Sequence, residues 1–103
     1  MMKQVIGGKV YDTAKATHVW NHDNGYDSGN FKWCDESLFQ TTNGNFFLAG
    51  SGGPMTSYGS DHGDMRGAGE RIIPMTKDEA REWLELVGAD VDIITRLFEI
   101  AEA

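Results

Sequence analysis

The sequence predicts an α+β domain over residues 1–103: a small, mostly antiparallel sheet with a short N-terminal helix and two C-terminal helices packed on it. Three observations carry that prediction. Gly7-Gly8 and Asn43-Gly44 each separate two short apolar runs, the pattern of a β-hairpin. Thr76 to Glu79 reads as a helix start and is followed by apolar residues at helical spacing. Between these halves lies GSGGPMTSYGSDHGDMRGAGE, residues 50–70, with seven glycines and no apolar period of 2 or 3.6.

In chain order, KQVIGGKVYD is the first hairpin, because its two glycines supply the positive φ of a two-residue turn and set Val5 opposite Val10. Asp12 or Thr13 can then cap a short helix to about His22, with Ala16, Val19 and Trp20 on one side and Asn24-Gly25 ending it. From Phe31 to Ala49 the pattern is strand-like. Asn43-Gly44 suits a type I′ turn that pairs Gln40 with Phe47 and Phe39 with Leu48. Phe39, Phe46 and Leu48 then share one face, and Leu38, Phe47 and Ala49 the other, so this strand pair belongs in the middle of the sheet. ERIIPM is a further strand with Pro74, which has no N–H to donate, at its end.

Thr76-Lys77-Asp78-Glu79 is a capping box, and the helix it opens buries Ala80, Trp83, Leu84 and Val87 before stopping at Gly88. Asp90 caps a last helix carrying Ile93, Ile94, Leu97, Phe98 and Ala101. Within the glycine-rich stretch, Met55 and Tyr58 are expected to pack the first half on the sheet, leaving Gly59 to Gly69 as the more mobile half.

Composition narrows the function classes. Sixteen Asp and Glu against nine Lys and Arg give a net charge of −7, a field that repels phosphate backbones, so direct nucleic-acid binding is disfavoured. Cys34 is the single cysteine, which rules out an internal disulfide and fits a reducing cytoplasm. No run of about 18 apolar residues suggests a membrane span.

A phosphate loop places its glycines between a strand and a helix N-terminus and ends in Lys and Ser or Thr; GSGGPM follows a strand but leads to neither, so a connecting or partner-binding loop is favoured. His18 and His22 share one side of the predicted helix, and Asp61, His62 and Asp64 add ligand-type side chains. With no HExxH context, a solvated pair is favoured over a metal site. Cys34, in the alternating FKWC, reads as a packing residue rather than a nucleophile. No catalytic residue, cofactor or metal is expected. The remaining feature is acidity: from Thr76 onward Asp78, Glu79, Glu82, Glu85, Asp90, Asp92, Glu99 and Glu102 stand against Lys77, Arg81 and Arg96. Such a face is either a solvated helix surface or a dock for a basic partner.

Three segments, VYDTAKAT, DESLFQTTNGNFFLAGSGGPMTSYG and GERIIPMTKDEAREWLE, lie in this order between about Lys9 and Leu84. They resemble a family of small proteins carried by phages, plasmids and integrative elements of bacteria, with a YDTxTA-like start, a GxGGxMxxY segment and an RIIPLSxxEAxxW helix start. Within that accessory cargo the chain is most similar to anti-CRISPR proteins. The resemblance implies a cytoplasmic inhibitor that binds a Cas effector of the bacterial host.

Effectors of that kind hold DNA in basic channels, and an acidic surface can compete there as a DNA mimic, stoichiometrically and without enzymatic chemistry. The charges select Asp78, Glu79, Glu82 and Glu85 as partner contacts, with Asp61 and Asp64 from the loop. Two alternatives stay open. One is a small enzyme or nucleotide-binding protein using the glycine-rich loop with His62 and Asp64; the other is a module that contacts a different, non-CRISPR protein.

Overall fold

The structure is a computed structural model that describes residues 2–63 and 65–103, with the side chains of His62 and Met65 left aside. In chain order the elements are β1 (Lys3–Ile6), β2 (Lys9–Asp12), β3 (Thr17–Asp23), β4 (Cys34–Gln40), β5 (Phe46–Gly52), β6 (Ser60–His62), β7 (Met65–Gly67), β8 (Gly69–Met75), α1 (Lys77–Leu86) and α2 (Val91–Leu97). An antiparallel sheet has the order β3-β4-β5-β8, and β1-β2 and β6-β7 are separate two-stranded ribbons. β4 and β5 are its interior strands, as their two-faced apolar pattern predicts. Pro74 is tolerated because β8 is an edge strand.

The first hairpin forms as expected. Gly7 and Gly8 both have positive φ, and Val5 pairs with Val10. The N-terminal helix does not form: residues 17–23 are β3, and both helices lie at the C-terminal end. A β-bulge explains the misleading pattern. His18 pairs with Phe39 and Trp20 with Leu38, so Val19 is an extra residue, and Val19 and Trp20 both pack into the core beneath the helices. Ala16 instead joins the core on the opposite face. A strand carrying a bulge therefore imitates the i, i+3, i+4 stripe of a helix.

The β4–β5 register also departs from the one the sequence predicts. Thr41 and Asn45 close the β4–β5 connection: the Thr41 N–H donates to Asn45 O (2.8 Å) and the Gly44 N–H to Thr41 O (2.9 Å). Among these residues only Gly44 has positive φ, so the connection is a type I turn with a left-handed glycine rather than a type I′ turn. The extra loop residue moves the pairing by one, to Gln40–Phe46, Phe39–Phe47 and Leu38–Leu48. Leu38, Phe46 and Leu48 consequently share one face, and Phe39, Phe47 and Ala49 the other.

Each face has its own cover. On one, Leu38, Phe46 and Leu48 meet Ala80, Trp83 and Leu84 of α1, together with Ala89 and Phe98; the Phe46 and Phe98 rings stack at 5.4 Å. On the other, Phe47 and Ile72 meet Tyr11 of the first hairpin, and Tyr11 stands edge-on to Phe47 at 5.4 Å. The capping box of α1 is present in both directions: the Glu79 N–H donates to Thr76 Oγ1 (3.1 Å) and the Thr76 N–H to Glu79 Oε1 (2.8 Å). At its other end Ala89 N–H donates to Leu84 O and Gly88 N–H to Glu85 O, a Schellman motif around the left-handed Gly88. α2 is shorter than predicted. Asp90 occupies its N-cap position without a side-chain bond, Phe98 turns extended, and Ala101 lies beyond the helix, exposed.

The glycine-rich stretch is largely ordered by packing on its own sheet. α1 and α2 cover part of one face, and residues 53–60 fold back over the rest. Tyr58 lies directly on Gly50, where a Cβ would overlap the ring, and Gly53 passes so close to the backbone of Asn30 and Phe31 that a side chain has no room. Tyr58 is 3% exposed as expected, whereas Met55 is 65% exposed and does not anchor the turn; its N–H donates to Phe31 O (2.9 Å) instead. Phe31 and Trp33, expected in a strand, precede β4 in a turn held by this contact and by Gly53 N–H donating to Trp33 O (2.8 Å). Within the half expected to be mobile, β6 and β7 form a short ribbon.

Candidate functional site

The helix predicted to meet a partner presents its carboxylates as the sequence spacing dictates. Ala80, Trp83 and Leu84 turn toward the sheet, and Asp78, Glu79, Glu82 and Glu85 are exposed. They are not equivalent. Glu79 is committed to the cap, and Arg81 bonds Glu85 through one nitrogen while the other lies 3.9 Å from Glu82. Among the described residues Asp78, Asp90, Asp92, Glu99 and Glu102 enter no ion pair, so the unpaired charge lies at the start of α1, at the start of α2 and in the segment beyond α2.

The loop acids do not join this group. Asp61 of β6 pairs with Arg66 of β7 at 3.1 Å, and Arg66 also donates to Pro54 O at 2.6 Å, tying the ribbon to the preceding turn. This ribbon adjoins the Gly69 end of β8, where Gly69 packs against Ser60, while α1 starts after Met75 at the other end. A seven-residue strand, roughly 20 Å long, separates the two. Asp64 lies outside the described residues.

The other sequence candidates are dispersed. The bulge sends His18 and His22 to opposite faces of the sheet, His18 edge-on to Phe39 at 5.3 Å and His22 opposite Glu36. Among the described residues no three His, Cys, Asp or Glu side chains converge as a metal site would require. Cys34 shares its face with Glu36, whose carboxylate accepts the Tyr58 hydroxyl at 2.6 Å; Arg71 stands 5.8 Å over the Tyr58 ring. Burial, then Glu36 and Asp35, push the Cys34 thiol up to about 11. Burial and the bond to Glu36 also raise Tyr58. Both shifts favour the protonated groups, and the bond from Tyr58 to Glu36 ties the loop to the sheet.

One feature was not legible in the sequence. A cavity of about 490 Å³ opens on the hairpin side, lined by Lys3, Lys9 and Lys15 and by Thr42 and Asn43 of the β4–β5 turn. Its parts are some thirty residues apart along the chain, and each lysine alone looks like ordinary solvated charge.

Among the described residues no helix is long and apolar enough to cross a membrane. Comparison of the chain with protein-family models, curated proteins and solved structures finds no significant match.

Proposed function

We propose that this chain is a stoichiometric, non-enzymatic inhibitor that binds a Cas effector of its bacterial host through the α1–α2 face and competes with DNA for the effector's basic channel. The supporting observation is the segregation of charge: residues 76–103 carry eight acids and three bases, five of the net seven negative charges. Asp78, Glu82 and Glu85 lie at i, i+4 and i+7, one carboxylate per roughly 5 Å of helix against one phosphate per 3.4 Å of a DNA strand. A basic groove shaped for phosphates meets a comparable line of charge there. Glu82 and Glu85 remain contacts in this reading, with Asp78, Asp90 and Asp92 as acids outside any ion pair beside them; Asp61 plays the lesser part because Arg66 holds it.

The test uses a purified Cas effector, its guide and a labelled target DNA. Inhibition should weaken steeply between about 50 and 200 mM salt and should be competitive with DNA. Glu82→Lys with Glu85→Lys should abolish it, whereas Glu70→Lys on β8, pointing to the hairpin side, should not. A stable ternary complex with DNA, or undiminished inhibition by the double reversal, would refute the mechanism.

A further inference from the structure

The hairpin side of the sheet carries a second surface whose chemistry is opposite to that of the helices. We propose that the cavity between β2 and the β4–β5 turn is a binding site for a small phosphate-bearing molecule. Three of the chain's nine Lys and Arg, Lys3, Lys9 and Lys15, line it. Among its described lining residues Asp12 is the only acid, and one oxygen of that carboxylate already accepts the Ala14 N–H at 2.9 Å. A chain of net charge −7 thus gathers three cationic side chains around one concavity, which makes the local field there opposite in sign to that of the whole chain.

Neutral donors complete the recognition. Thr42 and Asn43 are the central residues of a turn whose own hydrogen bond runs from Gly44 N–H to Thr41 O, which leaves their amides outside it. Their side chains add a hydroxyl and a carboxamide at the rim. The volume, about 490 Å³, lies in the range that encloses a small ligand. Tyr11, buried against Phe47, fixes β2, so Lys9 projects from a packed strand, while Lys3 lies on the paired β1 and Lys15 in the turn that follows β2. Lysines from β1, β2 and the following turn, amide and hydroxyl donors, and a single engaged carboxylate suit a compact multivalent anion.

The experiment follows amide chemical shifts of the full chain while sodium pyrophosphate, and separately ATP, is added at constant ionic strength. Saturable shifts confined to residues 3–16 and 41–45 are expected. Lys9→Gln with Lys15→Gln should weaken binding about tenfold, and Asp12→Asn should tighten it a few-fold, while Lys77→Gln on α1 should change nothing. The opposite sign for Asp12→Asn keeps the proposal testable even if the lysine variant folds poorly. Similar affinity for both probes assigns recognition to the phosphate group, and a response to ATP alone assigns it to a nucleotide. The proposal falls if neither probe saturates by about 10 mM, if the shifts map elsewhere, or if the lysine variant binds undiminished. A response only to a single-stranded oligonucleotide would also overturn it, because the surface would then be a nucleic-acid groove.

Discussion

Cys34 shows how one position translates its neighbours into reactivity. Its thiol is raised from 9.0 to about 11, first by burial and then by Glu36 and Asp35. Because the thiolate is the reacting form, iodoacetamide at pH 8 should modify the folded protein on the order of a hundredfold more slowly than the urea-unfolded chain. The same shift has a stability consequence with a definite sign. A folded-state pKa above the unfolded one favours the protonated native form, so the contribution is complete below about pH 9 and is lost as pH rises from 9 toward 11. The urea midpoint of the parent should therefore drop over that window more than that of Cys34→Ala. Tyr58, raised in the same direction, leaves some alkaline sensitivity in the variant. Equal alkylation rates for folded and unfolded chains would show that Cys34 is not shielded.

For the elements, the glycine-rich segment turns a composition into a mechanism. Residues 53–60 can lie on the sheet only because β5 offers no side chain at Gly50, and Tyr58 then reaches across it to Glu36. Gly50→Ala should cost about 1–3 kcal/mol through the forced displacement of that ring. In a Tyr58→Ala background the same alanine should cost much less, since the atom it meets has gone, and a thermal-melt double-mutant cycle measures the difference. Additive losses would mean that Gly50 is glycine for another reason.

This segment also marks the limit of what local pattern conveys. The Gly7-Gly8 turn, the Thr76–Glu79 cap and the Gly88 stop depend on residues within a few positions of one another, and all three were readable. The bulge at Val19 and the extra residue in the Thr41–Asn45 connection each shift a side-chain parity, and nothing local distinguishes them from a helical stripe or a tight turn. Of the site, the α1 acids were visible as a helical stripe. The Arg81–Glu85 pair, the Asp61–Arg66 pair and the lysine cavity needed the fold, because they depend on rotamers or on segments brought together from afar.

At the scale of the molecule, one four-stranded sheet separates an acidic helical layer from a hairpin layer that carries the lysine cavity, with a distinct apolar core on each side. The two cores touch only through the sheet, yet β5 serves both: Phe46 and Leu48 point into one, Phe47 and Ala49 into the other. Loss of either layer exposes half of the same strand, so the layers should unfold together. Trp83→Phe on the helical side and Phe47→Leu on the hairpin side should each cost about 1–2 kcal/mol and lower a single melting transition by roughly 5–10 °C. Two probes test this. Of the three tryptophans, Trp20 and Trp83 belong to the helical-side core and Trp33 to the turn before β4, so fluorescence weights the helical side, through Trp20 in the Trp83→Phe variant, while far-UV circular dichroism follows the whole fold. The midpoints from the two signals should coincide in the parent and in both variants. If Phe47→Leu lowers the dichroism midpoint and leaves the fluorescence midpoint in place, the hairpin layer melts on its own, and β5 does not couple the two faces.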